Sequence, residues 1–337
     1  MVMTKRERME HFFKNEEVDR VPVGFWHHFV SFHDHYSGMD DKIFNQVVAS
    51  QKKYIDDVDP DFVKIMSDGF FGHPSVCKKL ITTVDDLKEI KSVGPNDPWI
   101  TKQVSYVKEI CDYAGKDIYK FYNIFSPLQY IRLRFEEYDE DMEKFVRLFK
   151  ENPYVMTEAA RNIAEDIKCL IKRLYEETDI DGIFYSVQAV QSNDFDHNVH
   201  RELVEPLDLE LLNYMNHFST NVILHICGYG KYTNTLDWYK EYPAAVYNWA
   251  VYSENVSVAE GKRIFGGKPV LAGFDNATGT ILDSGTDEDV RNHVKEILDE
   301  AGTKGVGLGA DCTISADIPS SRLKFVVKAA EDYSAKH

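Results

Sequence analysis

Asn221–Gly230, NVILHICGYG, is the stretch from which the rest of the chain can be read. Its apolar run, with two β-branched residues, is that of a buried strand, and the glycines after it mark the strand's end. Side chains alternate across a strand, so His225 and Cys227 project from one face of its C-terminal tip. Downstream, GVGLGADC (Gly305–Cys312) repeats the pattern as a short glycine-rich strand closing on a cysteine. His-x-Cys with a distant Cys is a three-ligand set that suits zinc and leaves one coordination position open, as a catalytic zinc requires. His225, Cys227 and Cys312 are therefore the expected metal ligands. The plainer reading of the same residues is two buried cysteines and a hydrogen-bonded histidine.

Five further stretches read as strands: DFVKIMS (Asp61–Ser67), IYKFYNIF (Ile118–Phe125), DGIFYSV (Asp181–Val187), AAVYNWAV (Ala244–Val251) and PVLAGFD (Pro269–Asp275). Val21–Trp26 is a candidate eighth strand. Helical patterns lie between most of them: residues 40–56, 127–177 with a break at Asn152-Pro153, about 199–216, 286–301 closed by Gly302, and Pro319–Tyr333. A capping box of Thr4 and Glu7 opens one more helix, ending near Asn15. Alternation of this kind predicts a parallel sheet covered by helices. A strand number near eight favours the α/β class, as one (β/α)8 TIM barrel domain over residues 1–337 with additional N-terminal helices. No glycine-rich dinucleotide or phosphate loop follows any strand, which weakens the doubly wound alternative.

The polar residues at the predicted strand ends fit a barrel. Asp68, Asn123, Ser186, Gln188, His225, Cys227, Asn248, Asp275 and Cys312 would converge on one mouth, where active sites of this fold sit. Asp68 and Asp275 are candidate catalytic acids or bases, against the reading of loop-fixing carboxylates. Trp26, His28, Tyr185, Gln188 and Asn248 are candidate substrate contacts. His27, His28, His33 and His35 crowd one segment, but the local sequence offers them no cysteine and no carboxylate beyond Asp34, so a second metal is not favoured.

Composition narrows the partners. The net charge of −17 over 337 residues argues against nucleic acid or an anionic membrane surface. Five widely spaced cysteines make no secreted disulfide framework, and Cys77, Cys111 and Cys169 read as structural. The charged N-terminus has no apolar signal core, and no run approaches the roughly 18–20 apolar residues that span a bilayer. A cytoplasmic location is expected. A homodimer is compatible with the sequence.

With these residues in view, the chain resembles the uroporphyrinogen decarboxylase superfamily over nearly its full length. The likeness rests on Lys5–Arg8 and Asp19–Val23 near the start, LHICG at 224–228, and GADCTISADIP at 309–319. The resemblance implies a (β/α)8 barrel. True decarboxylases of this superfamily carry an arginine-rich segment near the N-terminus that helps hold a porphyrinogen's carboxylates. The matching stretch here, Pro22–Phe29 (PVGFWHHF), has no arginine. The other branch holds corrinoid-linked methyltransferases, in which an H-x-C and a distant C bind zinc and zinc binds an acceptor thiol such as coenzyme M. His225, Cys227 and Cys312 match that pattern. The resemblance thus implies zinc, a methylcorrinoid carried by a small corrinoid-binding partner protein, and a small-molecule thiol or related methyl acceptor. The alternatives are a decarboxylase of porphyrin biosynthesis and a non-catalytic corrinoid-partner barrel. Two positions depart from the pattern: Gln188 stands where an acidic residue is usual, and Asn248 where a carboxylate could complete the metal site.

Overall fold

The computed structural model describes residues 2–188, 195–228 and 233–336. Tyr229 and Gly230, and much of the polar loop expected after DGIFYSV, lie outside them. Seven parallel strands form one sheet in strict chain order. They are β1 (Phe62–Ile65), β2 (Tyr119–Phe125), β3 (Gly182–Val187), β4 (Val222–Ile226), β5 (Val246–Trp249), β6 (Val270–Phe274) and β7 (Val306–Ala310). Every residue of these strands is buried, as expected when helices cover one face and a filled interior the other.

The sheet is curled. β4 and β7 are separated by β5 and β6, yet Cys227 beyond the tip of β4 and Cys312 beyond β7 bring their sulfurs to 3.6 Å. Side chains from six strands, Phe62, Phe121, Phe184, Ile223, Val246 and Leu271, meet in one interior apolar cluster. Met9 and Phe12 of the helix Lys5–Phe13 join that cluster, so the N-terminal helix plugs the end opposite the strand tips. Its N-terminus is the Thr4/Glu7 capping box expected from sequence. This is a TIM-like α/β architecture.

The eighth place is where the structure departs from expectation. Residues 22–27 run beside β7 but make only two isolated bridges, Val23 with Leu308 and His27 with Ile314. Pro22 has no N–H to give, and the Val23 N–H donates to the Asp61 carboxylate at 2.9 Å rather than to a carbonyl of β1. Gly24 lies so close to β1 that a Cβ there would sit 2.2 Å from the Phe62 ring. The seam between β7 and β1 is therefore closed by side chains. Arg20 donates to both oxygens of Asp61 (2.6 and 3.0 Å), and Arg8 donates to Asp61 and Asp19, each at 2.7 Å.

The helices fall close to where the patterns put them, including the break at Asn152 between Met142–Glu151 and Pro153–Glu177. A widened, π-type turn, Arg134–Tyr138, follows Pro127–Leu133, and another, His200–Val204, precedes Glu205–Asn216. Among the described residues no helix is long and apolar enough to cross a membrane.

Candidate metal centre

Parity on β4 does what the sequence predicts: His225 and Cys227 emerge on the interior face. Cys312 arrives differently. β7 stops at Ala310, and Cys312 sits in the turn beyond it rather than on the strand. The turn carries Asp311 away from the interior to accept the Tyr252 N–H at 2.9 Å, and swings Cys312 inward. The ligating atoms of His225, Cys227 and Cys312 all lie within 4.8 Å of one another, with Cys312 Sγ 3.7 Å from His225 Nε2.

Asn248 sets the histidine. Its Nδ2 donates to the carbonyls of Leu271 (2.6 Å) and Ala310 (3.2 Å), which fixes the amide orientation and aims Oδ1 at His225 Nδ1. His225 must then carry its proton on Nδ1, leaving the Nε2 lone pair facing the two sulfurs. Asn248 is fully buried and does not line the cavity, so its expected role as a substrate contact is corrected to one of orienting a ligand. Asn248→Leu is expected to weaken metal binding at this candidate centre by about 10–100-fold, the usual effect of losing such a partner. Competition against a chelator of known affinity would measure it, and unchanged affinity would refute the role.

The thiols share charge unequally. A hydrogen bond from Cys227 holds the Cys312 thiol well below its ordinary range against the opposing effect of burial, and the Lys64 charge works the same way. The same hydrogen bond, with burial, pushes Cys227 up. A thiolate is thus favoured on Cys312, and a donor set of sulfur, sulfur and imidazole nitrogen fits zinc.

These groups form part of the wall of a cavity of ≈ 170 Å³ open at the strand tips. Its other walls are Phe32, Phe71, Phe125 and Leu133 on one side and Asn123, Ser186 and Gln188 on another. Lys64 enters from β1, its ammonium 4.0 Å from the Phe184 ring centroid and 4.7 Å from that of Trp26. Burial pulls Lys64 down to about 8, although the nearby cysteines and Asp68 oppose the shift. Sequence reading passed over Lys64, though a lysine within the apolar run FVKIM was the available signal. It also passed over Arg132, which donates to Gln188 (2.8 Å) and to Glu136 (2.7 Å), a residue the widened turn brings to the cavity.

The remaining candidates divide. His28 and Gln188 line the cavity. Asp68 reaches it through His28, whose Nδ1 lies 2.8 Å from Asp68 Oδ1. Burial alone would raise Asp68, but the His28 charge brings it below its usual range. Trp26 is part of the interior core beneath His225, with ring centroids 6.3 Å apart. Tyr185 points outward, its hydroxyl donating to the buried Asp208 at 2.7 Å, so it is not a substrate contact. Asp275 accepts the Ala277 N–H at 2.8 Å and fixes its own loop outside the cavity lining.

A curled parallel sheet with its polar cluster at the strand C-termini defines the class of TIM-like α/β proteins. Within that class the chain belongs to the uroporphyrinogen decarboxylase family, whose profile matches residues 67–333. Among solved structures it is similar to a methyltransferase from Methanosarcina mazei, with TM-score 0.70 and 14% identity over 98% of this chain and 99% of that one. It is also similar to a B12-independent methionine synthase from Shewanella sp. W3-18-1 in complex with selenomethionine, with TM-score 0.57 and 14% identity over 88% and 90% of the two chains. A putative B12-independent methionine synthase from Listeria monocytogenes gives TM-score 0.53 and 16% identity over 87% of each chain. At these identities the likeness is one of fold. No curated protein matches the chain by sequence.

Proposed function

We propose that the protein is a zinc-dependent methyltransferase that moves a methyl group between a corrinoid protein and a small thiol or related acceptor. The observation that carries this reading is the convergence of His225, Cys227 and Cys312 on one cavity wall, with Nε2 freed by Asn248. Bound there, zinc would lower the pKa of an acceptor thiol and hold its sulfur in place. The chain's own residues do the rest. Asn248 keeps His225 in its ligating tautomer, and the Phe71, Phe125 and Leu133 walls limit water around the acceptor. Lys64 places a buried ammonium beside the sulfurs, where it favours thiolate over thiol.

The cavity has room for on the order of ten water-sized groups. That suits a small acceptor and leaves no space for a corrinoid ring, which accords with a methylcorrinoid presented from outside by a small partner protein. Decarboxylation of a porphyrinogen is not favoured. Among the described lining residues Lys64 is the one lysine or arginine, too little charge for a substrate with many carboxylates.

The test is demethylation of methylcobalamin, followed by absorbance, with a panel of small thiols and with zinc-loaded or chelator-stripped protein. Zinc-dependent turnover with at least one thiol is expected. Equal rates with and without zinc across the panel would overturn the proposal.

A further inference from the structure

We propose a second metal site in the same cavity, formed by His28, His35 and Asp68 and taking a divalent first-row transition ion. The three come from separate segments: His28 from the stretch after the bridges to β7, His35 from the short turn Phe32–Tyr36, and Asp68 from beyond β1. Their ligating atoms lie within 4.8 Å of one another. Around a four-coordinate ion with bonds of about 2.0–2.2 Å, neighbouring donors stand roughly 3.4 Å apart, so modest ring rotations suffice.

His35 is the independent sign of a ligand. It is 3% exposed, lines the cavity, and neither of its ring nitrogens has a hydrogen-bond partner. A buried imidazole in that condition is costly unless something in the cavity meets it. Its ring is held between His28 at 4.2 Å and Phe71 at 4.6 Å, centroid to centroid. Asp68 is equally fixed, its Oδ2 accepting the Phe29 N–H at 2.7 Å. Glu137 Oε2 stands 3.8 Å from His35 Nδ1 and accepts from the Tyr36 hydroxyl at 3.2 Å, the placement of a carboxylate that orients a ligating histidine. Two imidazoles and one carboxylate with open positions toward a cavity suit Zn, Co or Fe in the divalent state. Lys64 in the same cavity opposes a cation, while Glu137 on its wall and Asp68 behind His28 favour one; Glu136 is already paired with Arg132. Sequence alone disfavoured this site because Asp34 was the only carboxylate nearby. Asp34 instead accepts from Ser31 Oγ at 2.7 Å, and the carboxylate comes from Asp68.

The test is titration of chelator-stripped protein with Co(II), measuring bound metal and the visible spectrum. Thiolate-to-cobalt charge transfer marks the cysteine site, and a nitrogen and oxygen site lacks it. The wild type is expected to bind about two ions, and His35→Ala and His28→Ala about one each with charge transfer retained. A Cys227→Ser/Cys312→Ser double variant should bind about one ion without charge transfer. His28 is the more exposed of the two histidines, and circular dichroism checks that its replacement leaves the fold intact. A single ion in the wild type that both histidine variants retain overturns the proposal. A single ion without charge transfer, lost in His28→Ala, supports this site and removes the methyltransferase reading instead.

Discussion

In proteins carrying Cys227→Ala or Cys312→Ala, tightly held zinc is expected to fall by about one ion per chain. The proposed methyl transfer to a thiol at pH 7 should fall by on the order of 10–30-fold, since the lower nucleophilicity of a metal-bound thiolate offsets part of the gain in ionisation. The upper figure follows from ionisation alone: a free thiol of pKa about 8.5 is roughly 3% thiolate at that pH, whereas a metal-bound one is nearly all thiolate. Loss of the fixed sulfur position should add to the deficit. Cys111→Ala supplies the control, since that cysteine is buried in the outer core away from the cavity. Elemental analysis and the methylcobalamin assay would read both effects together. Zinc retained at wild-type level in either site variant would refute the ligand assignment.

Asp61→Ala is expected to destabilise the protein by about 3–5 kcal/mol, with little effect on the metal centre if the protein is kept folded at low temperature. Asp61 is 1% exposed and accepts from Arg8, from two nitrogens of Arg20 and from the Val23 N–H. Its removal leaves two guanidinium groups largely out of water, with Asp19 as the remaining close carboxylate for Arg8. Because the Val23 segment joins β7 only through isolated bridges, the loss falls at the weakest part of the sheet. Thermal unfolding should shift down by roughly 4–7 °C. A shift under ~2 °C would show that the seam is held by apolar packing instead. The Arg8 and Asp19–Val23 residues that carry much of the family resemblance are thus part of the scaffold at the end of the sheet opposite the site.

What could be read from the sequence depended on range. The seven strands were legible because each is an apolar run of strand length, bounded by breakers and buried on both faces. His225 and Cys227 were legible because strand parity is local. The eighth strand was not, because whether Val21–Trp26 pairs depends on Asp61 taking the Val23 N–H from a distance. Tyr185 illustrates the same limit. Its position near a strand end suggested a substrate contact, but parity turns it outward, where Asp208 meets it. Asn248 stood at the expected place, yet its task is defined by carbonyls on two other strands. The proximity of His35 to Asp68 was hidden for the same reason, since no local window contains both.

The order of the sheet also bears on how the chain assembles. Each strand pairs with its neighbour in sequence, so most of the sheet can grow through contacts of moderate span. The bridge between Val23 and Leu308 is different, because closing it joins the two ends of nearly the whole chain. Loop-closure entropy places that event late in folding. Pairing with β6 already places β7, but the turn that carries Cys312 is tied on its far side by the bridge of His27 to Ile314, so the third ligand gains this anchor when that closure forms. Metal affinity at the cysteine centre is therefore expected to reach its final value only once the N-terminal segment has docked.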